Sequence, residues 1–356
     1  MFISQLYQHD LLCQMQQLRN LKWMDLSDSE DLKELPNLST ATNLEELKLR
    51  RCSSLVELPS SIEKLTSLQI LDLHSCSSLV ELPSFGNATK LEKLDLENCS
   101  SLVKLPPSIN ANNLQELSLR NCSRVVELPA IENATNLREL KLQNCSSLIE
   151  LPLSWVKRMS RLRVLTLNNC NNLVSLPQLP DSLDYIYADN CKSLERLDCC
   201  FNNPEISLYF PNCFKLNQEA RDLIMHTSTS RFAMLPGTQV PACFIHRATS
   251  GDYLKIKLKE SPFPTTLRFK ACIMLVKVNE EMSYDQRSMS VDIVISVHQA
   301  IKVQCTPSYH HIYPVLTEHI YTFELEVEEV TSTELVFEFI SFRSNWKIGE
   351  CGILQR

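Results

Sequence analysis

Glycine is scarce: the 356-residue chain has five, at positions 86, 237, 251, 349 and 352. Their spacing forms neither the G-x-G-x-x-G turn of a dinucleotide site nor the G-x-x-x-x-G-K-[ST] loop that wraps phosphate. Nucleotide binding by either route is excluded. Long apolar runs are also missing. With 44% hydrophobic and 22% charged residues, no stretch approaches the roughly 18 consecutive apolar residues of a membrane span. A basic excess is absent too, since 35 Lys and Arg stand against 42 Asp and Glu for a net charge of −7. That is the wrong sign for a surface that tracks phosphates, so no nucleic-acid partner is expected. The opening MFISQLYQHDLLCQ has no basic n-region and is broken by Gln5, Gln8, His9 and Asp10. It does not read as a secretory signal, and an intracellular chain with reduced thiols is expected.

Cysteine is plentiful, at fifteen residues. Seven of these fall in one pattern. Leu44-Leu47-Leu49-Cys52-Leu55-Leu58-Pro59 recurs as Leu68-Leu71-Leu73-Cys76-Leu79-Leu82-Pro83, then again from Leu91, Leu114, Leu137 and Leu162. An earlier copy starts at Leu21 with Ser29 in the cysteine place, and a weaker one runs from Leu183 to Leu197. Eight units of about 23 residues in the pattern L-x-x-L-x-L-x-x-C-x-x-L-x-x-L-P identify leucine-rich repeats. In each unit x-L-x-L-x is a short strand with its leucines turned inward, and the intervening residues face out along a concave surface. Stacking buries leucines that a lone unit cannot cover. The closing L-P turns the chain out of the strand layer into a convex return segment.

The repeat places Cys52, Cys76, Cys99, Cys122, Cys145, Cys170 and Cys191 at one corner, where a small buried thiol fits. The other eight read as scattered, with no zinc site or disulfide among them. Cα atoms in stacked strands come near enough for a disulfide, but their Cβ vectors run side by side. N-x-[ST] triplets begin at Asn37, Asn87, Asn98, Asn121, Asn133 and Asn144, three of them as a by-product of N-C-S in the repeat rather than as glycosylation sites.

The outward strand positions are the candidate protein-binding residues. The middle position reads Asp25, Lys48, Asp72, Asp95, Ser118, Lys141, Thr166 and Tyr187; the position after the second core residue includes Arg50, His74, Glu97, Arg120, Gln143 and Asn168. Trp23 and Tyr185 add aromatic rings at the two ends. Mixed charge with terminal aromatics suits a folded protein ligand.

After residue 200 the leucine period stops. Phe214, Leu216, Ala220, Leu223 and Ile224 fall on one side of an expected helix over 214–226 that covers the last repeat. Strand-like runs follow at 253–258, 267–278, 290–297, 319–327 and 334–342, which argues for an antiparallel β-sandwich. The expected organisation is a non-repeat segment 1–17, repeats over 18–200, a linker with a short helix over 201–230 and a sandwich over 231–356. The fold class is an α/β leucine-rich-repeat solenoid followed by an antiparallel β-sandwich. Cys243 with His246 could form half of a nucleophile pair but lies in a Pro-Gly turn segment and reads as structural, and Cys305 with His310, His311 and His319 matches no common zinc spacing and reads as an exposed loop.

Three segments carry a family resemblance: the C-S-S-L-V-E-L-P repeat end with the N-A-T-N-L-x-E-L restart (Cys52 to Pro59, Asn133 to Leu140), Phe-Pro-Asn-Cys-Phe-Lys-Leu at 210–216, and Leu-Pro-Gly-Thr-Gln-Val-Pro-Ala-Cys-Phe at 235–244. Together they resemble the C-terminal part of plant immune receptors of the TIR, nucleotide-binding, leucine-rich-repeat class. In that family a jelly-roll or immunoglobulin-like domain follows the repeats. The family often has Glu and Trp where this chain has Gln239 and Cys243. The resemblance implies a recognition module in the cytoplasm, and also the nucleus; with no phosphate loop, zinc spacing, membrane span or catalytic segment read in the residues, a non-catalytic chain with no cofactor, no metal and no membrane contact is expected. Its implied partners are a pathogen effector or host protein, and the rest of such a receptor or a full-length one. A truncated receptor that regulates full-length partners is the alternative. The first 17 residues bear no repeat motif and no polar cap, so the array is expected to begin mid-solenoid. No nucleotide-binding or TIR segment is read in the chain.

Overall fold

The computed structural model describes residues 15–85, 87–106, 109, 112–128, 135–152, 159–226, 231–249, 253–258, 266–277, 291–299, 308–312, 319–342 and 346–356. The chain divides into two compact units. One comprises Met1–Ile206 with Cys213–Leu223, the other Ser207–Asn212 with Ile224–Arg356.

In the first unit each L-x-x-L-x-L segment supplies a three-residue strand: β1 (Trp23–Asp25), β2 (Glu46–Lys48), β3 (Ile70–Asp72), β4 (Lys93–Asp95), β5 (Glu116–Ser118), β6 (Glu139–Lys141) and β7 (Val164–Thr166). Two two-residue strands, β8 (Ser175–Leu176) and β10 (Arg196–Leu197), pair with each other, and β9 (Tyr185–Tyr187) follows β7 in the main sheet. All these pairs are parallel and one repeat apart, so Leu47, Leu71, Leu94, Leu117, Leu140 and Leu165 stack in register. None of those leucines is more than 2% exposed. Backbone bonds between repeats continue past each strand, as Leu49 N–H to Asp72 O at 2.7 Å and Arg51 N–H to His74 O at 2.8 Å.

The α half of the expected class is not borne out. Among the described residues the solenoid returns through turns and one 3-10 segment at Ser60–Lys64, and the α-helix α1 is confined to Gln218–His226. Return segments bounded by proline close with i to i−3 bonds, as Leu44 N–H to Ala41 O at 3.0 Å and Leu68 N–H to Leu65 O at 3.2 Å. Helix α1 also begins later than expected. Asn217 caps it, its Oδ1 accepting from the Ala220 N–H at 2.8 Å, and Phe214 lies outside it and exposed.

The ladder cysteines are buried, and each thiol donates to a backbone carbonyl of the previous repeat: Cys52 to Leu26, Cys76 to Leu49, Cys99 to Leu73, Cys122 to Leu96, Cys145 to Leu119, Cys170 to Leu142 and Cys191 to Leu167, at 3.1–3.2 Å. Cys213 makes an eighth such rung to Ala188 at 2.8 Å and is not one of the scattered cysteines. It belongs to a degenerate ninth copy of the motif, with Leu208, Phe210 and Leu216 in phase and Glu205 in place of the first leucine. Immediately before the ladder cysteines, Asn98, Asn121, Asn144, Asn169, Asn190 and Asn212 all have φ between 56° and 63°. Asparagine tolerates this left-handed turn better than other side chains. Successive amides also bond from repeat to repeat, as Asn169 Nδ2 to Asn144 Oδ1 at 2.8 Å and Asn190 Nδ2 to Asn169 Oδ1 at 2.7 Å. The Asn of N-C-S is therefore part of the solenoid, with its amide already engaged. Burial pushes the Cys52 thiol pKa up to about 11 and that of Cys145 to about 12. In the folded, reduced chain, iodoacetamide is expected to label exposed Cys200 well before any ladder cysteine. Site-resolved mass spectrometry checks this; ladder thiols labelled at the rate of Cys200 would sink the ladder account.

The second unit contains two antiparallel sheets that share one apolar core. In one, β11 (Ser207–Tyr209) pairs in parallel with β12 (Phe232–Pro236), and antiparallel neighbours then follow in the order β12, β18 (His319–Glu328), β15 (Thr266–Lys277), β20 (Trp346–Gln355), β13 (His246–Ala248). The other runs β14 (Tyr253–Lys257), β19 (Glu334–Phe342), β16 (Val291–Gln299), β17 (Ser308–Ile312). Phe269 and Ile273 of β15, Phe323 of β18, Ile293 of β16 and Phe337 of β19 meet in that core, Phe269 edge-on to Phe337 at 5.0 Å between centroids. Alternation in β18 and β19 sends every second residue there, as the sequence indicates. Gly352 in β20 is required by close approach: a Cβ there would lie 2.7 Å from Val240 Cγ1 and 2.9 Å from Phe244 Cβ. The same loop is held by the Val240 N–H donating to Glu350 Oε2 at 2.7 Å.

Candidate protein-binding face

Strand register arranges the outward side chains in columns. Asp25, Lys48, Asp72, Asp95, Ser118, Lys141, Thr166 and Tyr187 lie side by side, one per repeat. A second column, one residue before the core leucine, runs Trp23, Glu46, Ile70, Lys93, Glu116, Glu139, Val164, Tyr185. The sequence reading picks only Trp23 and Tyr185 from it. Glu46, Lys93, Glu116, Glu139 and Val164 share their orientation and were legible from the same alternation. A third column continues beyond the strand with Arg50, His74, Glu97, Arg120, Gln143 and Asn168.

Within the middle column Asp72, Ser118 and Thr166 are buried by their neighbours, whereas Arg50 and Arg120 in the third are exposed. Cations and carboxylates pair along the face. Lys48 Nζ lies 2.9 Å from Glu46, Arg50 Nε 3.6 Å from Asp72, and Arg120 Nη1 3.5 Å from Glu97. Glu116 collects two lysines, Lys141 at 2.6 Å and Lys93 at 3.3 Å. Burial works against its charged form, but the two ammonium groups outweigh burial and hold its pKa below the ordinary carboxylate value. Lys141, against Glu116 and Glu139, keeps its proton to higher pH than usual despite partial burial. The ends are aromatic. Tyr185 and Tyr187 stack with centroids 6.0 Å apart and planes within 4°, and Lys22 Nζ sits 5.8 Å over the Trp23 ring. Such rings offer rigid area at low entropic cost, with a cross-linked charge field between them.

Among the residues weighed for metal or nucleophilic chemistry, Cys243 is half-buried. His319 is buried and its Nε2 accepts from the Asn212 N–H at 3.2 Å, a structural role. Cys305 and the side chains of His310 and His311 lie outside the described residues.

Residues 235–326 match the C-JID domain. The probable disease resistance protein RPP1 of Arabidopsis thaliana is 58% identical over an alignment covering 96% of this chain and 38% of RPP1. The disease resistance protein RML1B of the same plant is 34% identical over 95% of this chain and 34% of RML1B, and TAO1 is 47% identical over 48% of this chain and 14% of TAO1. The chain thus spans little more than a third of the length of the first of these relatives. Among solved structures, the leucine-rich repeat domain of the type III effector XCV3220 (XopL) aligns with 49% of this chain and 71% of that one, at 29% identity and a TM-score of 0.35.

Proposed function

Along 96% of its length this chain is homologous to plant disease resistance proteins of the TIR, nucleotide-binding, leucine-rich-repeat class and carries their C-JID domain, and from that premise we propose that it is a non-catalytic recognition module of an intracellular immune receptor. The module comprises the repeats of 18–200, extended to Leu216 by the ninth rung, a connecting segment to 230 and a jelly-roll or immunoglobulin-like sandwich over 231–356. Its working surface is the concave face, and its ligand is a pathogen effector or a host protein, met in the cytoplasm or nucleus. No helix among the described residues is long and apolar enough to cross a membrane.

One observation supports the face above the rest of the surface: a sheet of solvent-facing side chains, set one repeat apart, carries paired charges between two aromatic ends. The fixed spacing pre-orders the contacts, so little side-chain entropy is lost on docking. The C-JID match favours a second contact surface in the sandwich.

The experiment is charge reversal of Arg50, Arg120 and Lys141 together. Arg50 and Arg120 are exposed, and exposed pairs contribute only up to about 1 kcal/mol each, so their reversal should move the melting temperature little. Reversal of part-buried Lys141 beside Glu116 and Glu139 should lower it modestly. Complementary charges across an interface govern association, so affinity for effectors or host proteins captured by the wild-type chain should fall at least about tenfold. Affinity unchanged in the triple variant would move the site off the concave face. Capture of full-length receptors in place of effectors would favour the regulatory alternative.

A further inference from the structure

We propose that His74, Asp95 and Glu97 form a binding site for a divalent transition-metal ion of the Zn2+ class on the concave face. The three side chains come from two adjacent repeats, and one ligand atom from each lies within 4.8 Å of the others. Register brings them together. Asp72 of β3 is the partner of Asp95 of β4, which sets His74, two residues on, beside Glu97. The backbone on both sides of His74 is pinned to the next repeat, Leu73 N–H to Asp95 O at 2.8 Å and Ser75 N–H to Glu97 O at 2.7 Å. Asp95 and Glu97 are two apart in an extended segment and so face the same way.

The donor set is one imidazole with two carboxylates, which suits zinc and its first-row neighbours and leaves open positions for water or a partner's side chain. Ligand atoms on tetrahedral zinc lie roughly 3.4 Å apart. His74 and Glu97 are partly exposed, so the closure to that spacing is asked of their rotamers rather than of the backbone. The existing contacts are weak enough to yield. His74 Nε2 lies 3.4 Å from Asn98 Nδ2, and that amide has a closer partner in Ser75 Oγ at 3.2 Å. Glu97 is shared with Arg120 at 3.5 Å, and Arg120 is exposed.

Two further features point to a cation. Asp95 has no cationic partner among the described residues; its Oδ1 takes the Glu97 N–H at 3.1 Å, leaving the other oxygen available. Beside it in register, Ser118 is 2% exposed, and its hydroxyl oxygen finds no partner among the described residues. A water carried by an ion at Asp95 is the kind of partner that hydroxyl lacks.

The test is calorimetric titration of the reduced full chain with ZnCl2, and separately with MgCl2. The expected result is one equivalent of Zn2+ that excess Mg2+ does not displace. His74→Ala and Asp95→Asn should each weaken that component at least about tenfold. His74→Asn, which keeps a polar group of similar reach, serves should the alanine variant misfold, and protection of the ladder cysteines from alkylation reports folding in all three. A wild-type titration with no saturable component, or histidine variants that titrate like wild type, overturns the proposal. Neither outcome touches the protein-recognition reading, whose variants leave these three residues in place.

Discussion

Raising the pH from about 8 to about 10 should strongly destabilise the repeats of the reduced chain. Seven ladder thiols are pushed up by burial, Cys52 to about 11 and Cys145 to about 12, with Cys76, Cys99, Cys122 and Cys170 raised as well and Cys213 raised by its contact with Cys191 and by burial. In the unfolded chain such a thiol has a pKa of about 9. Its stabilising contribution is therefore whole below that pH. It drains as the pH climbs toward the folded value, because the unfolded state gives up its proton first. One pH unit above the unfolded pKa, each thiol has lost roughly 1.4 kcal/mol. Over the ladder the losses add up to several kcal/mol, a large part of the 5–15 kcal/mol that holds a typical domain together.

Thermal melts by circular dichroism across this range, with reductant present, give the measurement. The control replaces Cys99, Cys122 and Cys145 by serine. Ser29 already occupies that corner in the first repeat, and the hydroxyl can donate to the same carbonyl without titrating. The triple variant should recover roughly 4 kcal/mol of the alkaline loss. A wild-type melting temperature that stays flat to pH 10 would mean that the thiols are not held protonated in the core.

That ladder also shows what the sequence made legible. The strands, their register and seven rungs follow from the spacing of Leu47, Leu49 and Cys52 alone, because burial demands the same residue at the same corner in every unit. Cys213 escaped because Glu205 stands where the first leucine belongs, although Ile206 beside it is buried. The outward column of Glu46, Lys93, Glu116 and Glu139 was legible by alternation and was passed over. The pairing of Glu116 with Lys93 and Lys141 of its two neighbouring repeats was not, since a motif does not reveal which charges meet across repeats. In the second unit, alternating runs such as Tyr321 to Val327 read as strands. β12 was missed because Ala233, Met234 and Leu235 are all buried, which erases the period of two. β20 is not among the expected strands; its Gly349 and Gly352 interrupt the alternation, and both answer side chains packed against them. The His74 cluster has no linear signature, since its members become neighbours only through strand register.

Replacing Lys270 by methionine should stabilise the second unit at pH 7 and cease to do so near pH 10.5. Along β15, Phe269, Ala271 and Ile273 enter the shared core, and Lys270 points to the opposite face, where it is fully buried. Its ammonium donates to the Met225 carbonyl at 3.2 Å. Burial, with the Arg356 guanidinium adding to it, lowers its pKa from 10.5 to about 8 against a smaller opposing pull from Glu324, its cross-strand neighbour. Between those two values the unfolded chain holds a proton that the folded chain has released, so stability rises with pH across the window. Below pH 8 the folded state carries the full cost of the buried charge, roughly 3 kcal/mol for that shift. Methionine keeps a linear apolar stem but leaves the Met225 carbonyl without this donor, a loss of about 1 kcal/mol. The variant should therefore gain roughly 2 kcal/mol at pH 7, a net of those two contributions, and the gain should vanish or reverse once wild-type Lys270 is neutral. The difference between the two proteins' denaturation curves, taken pH by pH, cancels every other titration, the thiols included. A difference constant from pH 7 to 10.5 would show that Lys270 keeps its charge at no cost, and that its polar partners, rather than burial, set its protonation.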